Sequence, residues 1–374
     1  MKKIILSFCM AACILTACKD KNEFTLTGTF ENSNYNGSFV YLKQINLDFS
    51  VSDVIDSVIV DNSRFEFKDI AQDVPAVHLI VINESVMPAT FIGEKGKIEM
   101  NFDSKMKPTV KGTALNDKYQ HFETERINLI EQIYFVRNKY SEIKEAGNLS
   151  SEQFRELDKL FKQLWEELEN VIFNFIKSNI TNNIGKWLLG SESSLYLKDS
   201  KLKELLSLTS ADFRNIKSIQ LWEKQIDARE ATAIGKPFVN VKGVNFNDKE
   251  VSLSDYAGKG KIILIDFWAS WCGPCIREMP DLIAVYQQYR NKGFEIVGIS
   301  LDIDKESWKK MTDDLKITWP QFSNVKGWEE EAAAAYGINS IPHAILIDKG
   351  GIIIERGLSV DALKFKLEEL FGSK

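Results

Sequence analysis

Two thiols separated by Gly-Pro, Cys272-Gly273-Pro274-Cys275, are the residues of this chain whose spacing most directly supports chemistry. A two-residue spacer lets the second sulfur reach the first, so the pair can close into a small disulfide and reopen by exchange. Ahead of them, Ile262-Ile263-Leu264-Ile265 is an unbroken apolar run rich in β-branched side chains, which predicts a strand buried on both faces. Behind them, Ile276, Met279, Leu282, Ile283 and Tyr286 recur at helical spacing. The thiols therefore stand where a parallel strand ends and a helix begins. Unpaired N–H groups and the partial positive charge of a helix N-terminus favour thiolate over thiol there. Cys272, nearer the tip, is the expected nucleophile, and Cys275 the resolving thiol. Asp266 interrupts the apolar strand six residues before Cys272. Buried and unpaired, it would carry a raised pKa suited to proton transfer near neutrality. Pointing out from the strand end, it would be an ordinary carboxylate.

A Cys-x-x-Cys pair is also half of a zinc site, which needs two more Cys or His ligands. The remaining cysteines are Cys9, Cys13 and Cys18, and the histidines His78, His121 and His343 form no paired ligand motif. No metal and no cofactor is expected. The formal charge of −6, with 27% charged and 44% hydrophobic residues, describes an ordinary globular chain whose mild acidity argues against nucleic acid as a partner.

The segment Asp266-Phe267-Trp268-Ala269-Ser270-Trp271-Cys272-Gly273-Pro274-Cys275 resembles the active-site segment of thioredoxin, with Pro280 where thioredoxin's helix carries a kinking proline. Trp-Cys-Gly-Pro-Cys followed by Ile276-Arg277-Glu278-Met279-Pro280 is similar, more closely, to the membrane-tethered TlpA/ResA group. The resemblance covers about residues 235–374. It implies a thioredoxin fold, a redox disulfide between Cys272 and Cys275, and a buried carboxylate at Asp266. It also implies a cis Ile341–Pro342 bond in the loop Gly337-Ile-Asn-Ser-Ile-Pro342 opposite the thiols, where the backbone of Ile341 pairs with a client strand. Trp271, Gly273 and Pro274 take client contacts by the same resemblance, and Trp268, Glu278 and Pro280 support the site. His343 departs from the threonine usual at its position, which leaves two readings: a group that tunes or gates the thiols, or a neutral bystander.

At the other end, Met1–Ala17 has two lysines, a short apolar run and small residues, the pattern of a secretory signal too short for a permanent span. Leu15-Thr16-Ala17-Cys18 resembles a bacterial lipobox, which implies lipidation of Cys18 and attachment to a membrane through that anchor. Lys19 stands where the family rule for inner-membrane retention wants Asp, so the outer membrane is favoured. Processing would remove Cys9 and Cys13, leaving Cys272 and Cys275 as the free thiols of an exported protein. Such a lone pair is a working pair rather than a structural staple.

Between these ends the sequence predicts two further regions. Residues 24–112 alternate in short runs such as Phe24–Phe30, Phe39–Leu42, Arg64–Lys68 and Lys97–Phe102, separated by turn residues. They predict an antiparallel β domain of six to eight strands. This stretch resembles the β-rich N-terminal domain often fused to lipoprotein thioredoxin-like proteins. Residues 113–230 switch to helical spacing, with Tyr119, Phe122, Ile130, Ile133 and Tyr140 on one long helix and Phe154, Leu157, Leu164, Leu168 and Ile176 on a second. Ser150 and Gln153 are placed for a capping box. The fold class expected is thus multi-domain: antiparallel β, a helical middle, and a C-terminal α/β thioredoxin fold over 235–374 with a mixed sheet.

The function expected is a lipid-anchored, periplasm-facing thiol–disulfide oxidoreductase that reduces client disulfides and is fed by an upstream membrane electron donor. The same cysteines could serve a thiol oxidant. A peroxiredoxin-like peroxidase is a further alternative, although Ala269 stands three before Cys272, where that family places threonine. A non-enzymatic adaptor would instead work through residues 24–230.

Overall fold

The computed structural model describes residues 22–83, 88–191 and 196–372, with the backbone alone described at Ser151. The lipobox, Cys18 and the signal segment lie outside the described residues. The described residues fall into two compact units, those up to 130 with 174–191 and those of 131–173 with 196–372.

In the first unit the described residues form β1 (Glu23–Phe30), β2 (Phe39–Ile45), β3 (Asp56–Ile59), β4 (Arg64–Ile70), β5 (Val77–Ile82), β6 (Ala89–Ile92), β7 (Gly96–Phe102) and β8 (Pro108–Lys111). They make two four-stranded sheets, ordered β4-β1-β7-β8 and β3-β2-β5-β6. Alternation decides which side chains face in: Phe24, Leu26 and Phe30 of β1 are buried, and the threonines between them are half-buried. Gly28 continues the inward row, where a Cβ would sit 2.0 Å from the Phe65 ring, so only glycine lets that ring lie across the strand. The pairings are antiparallel except for β1 with β7, which run parallel from Phe24 opposite Gly96 to Phe30 opposite Phe102. His78 on β5 is buried between the rings of Phe91 and Phe24, with its Nδ1 3.2 Å from the Ala76 carbonyl.

The helical middle holds α1 (Ala114–Glu145), α2 (Ser151–Ser178), α3 (Asn183–Gly190), α4 (Asp199–Ser207), α5 (Ala211–Arg214) and α6 (Lys217–Ala231). Both α1 and α2 contribute residues to both units. The start of α1 is tied to β6 by Asn116, which accepts from the Ile92 N–H and donates to its carbonyl. The capping box at α2 is formed: the Gln153 N–H donates to Ser150 Oγ, and the Ser150 N–H to Gln153 Oε1. His121 is exposed on α1.

The second unit contains β9 (Lys242–Val244) and β10 (Glu250–Ser252) as a hairpin, then β11 (Ile262–Trp268), α7 (Gly273–Tyr289), β12 (Phe294–Ser300) and α8 (Lys305–Asp314). There follow β13 (Gln321–Phe322), α9 (Glu331–Tyr336), β14 (His343–Ile347), β15 (Ile353–Arg356) and α10 (Val360–Phe371). The sheet order β13-β12-β11-β14-β15 puts β11 at the centre, parallel to β12 and antiparallel to β14. Every residue of β11 is buried, Asp266 included, as its otherwise apolar composition favours in a central strand covered on both faces. This is a thioredoxin-like α/β domain with a mixed sheet.

Candidate active site

The C-terminal end of β11 passes through Ala269–Trp271 directly into α7, and Cys272 is the N-cap of that helix. Its sulfur accepts a hydrogen bond from the Cys275 N–H at 3.2 Å, which satisfies one of the donors the helix leaves open. Cys272 and Cys275 are joined as a disulfide. Both are nearly buried, at 4% and 3% exposure, while Trp271 beside them is 53% exposed and Pro274 is exposed. Gly273 is half-buried at the first turn, and Pro280 lies inside α7 on its exposed side.

Neighbouring strands lock the turn in place. Asp302, buried just past the end of β12, accepts from both the N–H and the hydroxyl of Ser270, at 3.0 and 2.5 Å, and from Ser300 Oγ at 2.7 Å. Trp268 is buried and donates its indole N–H to Gln321 Oε1 at 3.1 Å. The Trp308 indole shares that acceptor at 3.0 Å. Gln321 reaches it across Gly298, where a Cβ would stand 3.0 Å from its side chain. Neither Asp302 nor Gln321 was expected from the sequence. For Asp302 a signal existed, since the C-terminal ends of parallel strands are where α/β sheets collect functional groups.

Under the disulfide is a cavity of about 230 Å³, walled by Asp266 from β11, Cys275, Glu278 and Met279 from α7, Pro342, and Val360 and Leu363 from α10. Asp266 does not point out into solvent. It is 6% exposed, and its Oδ2 is buried with no hydrogen-bond partner. Burial, and secondarily the charge of Glu278, pushes its pKa up to about 7. Glu278 is itself half-buried, and that burial raises its pKa while Lys144 opposes the rise.

The Ile341–Pro342 bond is cis, with Pro342 exposed on the rim and lining the cavity, and Ile341 half-buried before it. His343 opens β14 opposite Phe267. Burial first, and then the Arg356 and Arg229 charges, push its pKa down to about 4, so it is neutral at physiological pH, with Nε2 buried and unpartnered. The fold thus brings Asp266, Cys272, Cys275, Glu278 and Pro342 together, keeps Trp268 beneath them as packing, and leaves Trp271 and Pro274 facing solvent. Among the described residues, no cluster of three or more His, Cys, Asp or Glu side chains could hold a metal ion.

Residues 234–356 match the AhpC/TSA family model, and residues 24–119 match a domain of unknown function, DUF4369. The chain is 30% identical over 149 residues to the thiol-disulfide oxidoreductase ResA of Bacillus cereus, covering 40% of this chain and 83% of that protein. To ResA of Bacillus anthracis it is 31% identical over 128 residues, 34% of this chain and 71% of that one. Among solved structures, the thioredoxin domain of a thiol-disulfide oxidoreductase from Bacteroides vulgatus is 34% identical, covering 37% of this chain and 99% of its own, with a TM-score of 0.35.

Proposed function

The chain belongs to the ResA-type family of thiol-disulfide oxidoreductases, and from that premise we propose that Cys272 and Cys275 are its redox pair, with Asp266 as their proton acceptor. Its clients are proteins bearing thiols or disulfides. In the reducing direction, the Cys272 thiolate attacks one sulfur of a client disulfide, forming a mixed disulfide and releasing the other client sulfur as a thiolate. Cys275, its proton passed to the Asp266 carboxylate across the shared cavity, then attacks Cys272 Sγ. That closes the Cys272–Cys275 disulfide and releases the second client thiolate. Two electrons pass from the pair to the client.

The observation that carries this reading is the unpartnered carboxylate of Asp266, buried in the cavity that Cys275 lines. Trp271, Gly273, Pro274 and the Ile341 backbone form the client-facing rim, and Pro342 closes it beside the cavity. Trp268, Pro280 and neutral His343 serve as frame. The sequence of residues 1–19 supports a lipid anchor at Cys18 and a periplasm-facing domain at the outer membrane, and the reducing direction calls for a membrane electron donor. Among the described residues no helix is long and apolar enough to cross a membrane. The domains we assign are a β-rich domain at 24–112, a helical region at 113–230 and the redox domain at 235–374.

The test pairs two measurements on the full chain. Cys275→Ser, incubated with a disulfide-bonded model protein, traps a mixed disulfide on Cys272, and Cys272→Ser traps none. A reduction potential near the thioredoxin value of about −270 mV supports the reducing direction. A value near about −120 mV reverses it.

A further inference from the structure

We propose that Lys144, on the helical segment ahead of the redox domain, is a positioning residue that clasps the two helices walling the Asp266 cavity and governs the ionisation of Glu278 inside it. The proposal rests on the reading of Asp266 as the proton acceptor for Cys275.

Lys144 lies in the last turn of α1, where the negative end of the helix dipole welcomes a cation. Its Nζ is 2.7 Å from Asp361 Oδ2 and 3.3 Å from Asp281 Oδ2. Asp281 is one turn beyond Glu278 on α7. Asp361 is in the first turn of α10, next to Val360 of the cavity wall. One ammonium therefore bridges α7 and α10 where they border the cavity. Tyr140, one turn back on α1, donates its hydroxyl to the same Asp361 carboxylate. Phe154 of α2 packs its ring 4.7 Å from Phe365, one turn further along α10. The end of the α1–α2 pair is thus fastened to the redox domain by charge, hydrogen bond and ring contact together.

The groups around Glu278 explain what this fastening does. Asp266 faces it from β11, Asp281 and Arg277 from α7, Asp361 from α10, and Lys144 and Tyr140 from α1. Burial and the carboxylates favour a protonated Glu278, while Lys144 and, less strongly, Arg277 favour the charged form. The ionised Glu278 in turn contributes to the raised pKa of Asp266. Without Lys144, Asp281 and Asp361 lose the cation that both contact, their repulsion reaches Glu278 unscreened, and Glu278 keeps its proton to higher pH. The helical segment then acts on proton transfer at the cysteines without touching them.

The experiment is the pH–rate profile for reduction of the Cys272–Cys275 disulfide by dithiothreitol in the full chain. It compares wild type with Lys144→Met, Lys144→Arg, Glu278→Gln, the Lys144→Met/Glu278→Gln double variant and Asp266→Asn. Lys144→Met should move the Glu278 limb of the profile upward by about 0.5 pH unit, a roughly threefold rate change on that limb. Lys144→Arg should restore the wild-type profile, and Lys144→Met should cause no further shift once Glu278 is Gln. A Lys144→Met profile superimposed on wild type overturns the proposal, as does a shift that persists without Glu278 or one that Arg fails to rescue. Asp266→Asn tests the underlying reading separately: a profile unchanged by that variant removes Asp266 as the acceptor, whatever Lys144 does.

Discussion

Asp266 and His343 place opposite pH dependences on one strand pair, and neutral replacement of each separates them. Asp266 titrates at about 7 in the fold against 3.8 when free. The fold therefore favours its neutral form. That stabilisation is full below about pH 4 and is lost as pH rises through about 7. About three pKa units at ~1.36 kcal/mol each make the loss about 4 kcal/mol. His343 runs the other way. Its pKa of about 4 in the fold against 6.5 when free means that the fold again favours the neutral form. Here the stabilisation is full above about pH 6.5 and is lost as pH falls through about 4, by about 3 kcal/mol. Between those limits the two slopes oppose each other in the wild-type protein. Denaturant melts of the oxidised chain at steps from pH 4 to pH 8 measure each term as a variant-minus-wild-type difference, which cancels every other titrating group. Asp266→Asn should gain about 4 kcal/mol on wild type as pH rises from 4 to 8. His343→Asn should gain about 3 kcal/mol as pH falls from 7 to 4. A difference that does not vary with pH for Asp266→Asn would show that the carboxylate is ionised and solvated in the fold, and the proton-acceptor reading would fail with it.

Two further outcomes follow from the same geometry. Gln321→Leu leaves the buried indole N–H groups of Trp268 and Trp308 without their shared acceptor, and a loss of about 3 kcal/mol in melts of the oxidised chain is expected; an unchanged stability would mean that the indoles find other partners. Hydrogen peroxide should be consumed by wild type no faster than by Cys272→Ser, since Ala269 stands three residues before Cys272, where a peroxidatic site carries threonine; a Cys272-dependent rate would favour a peroxidase.

What the sequence made legible was whatever is written locally. The β11–α7 junction is dense with signal, because a seven-residue buried strand, a helix start and both cysteines lie within a single short segment. The Ser150–Gln153 capping box likewise needs only four consecutive positions. Pairing partners are not local. Alternation marked β1 and β7 as strands, yet nothing in either predicts that they run parallel. β13 is two residues long and begins with a buried glutamine, so it has neither the length nor the period of a strand. Its importance comes only from Gly298 and the two indoles that close around Gln321. Lys144 was unreadable for a similar reason: it is one charge among many on a long helix, and the carboxylate it meets is 217 residues away.

The electrostatics of the cavity argue that proton movement at this site is tied to the redox state of the cysteines. In the disulfide form, Cys275 brings no charge to the cavity, and Asp266 is opposed chiefly by its own burial and by Glu278. Reduction exposes a second acid on the same wall. A Cys275 thiolate and an Asp266 carboxylate, both buried on the wall of one small cavity, cannot both be charged at low cost, so the pair holds a proton between them. Closing the disulfide removes the thiolate and lets that proton leave through whichever carboxylate borders solvent. Glu278, half-buried between Asp266 and the Lys144 clasp, occupies that intermediate position. Under the proposed reading the buried aspartate and the half-buried glutamate form a path from the interior toward solvent for a proton taken from Cys275, and the charged Lys144 beside them holds Glu278 toward the ionised form that can accept it.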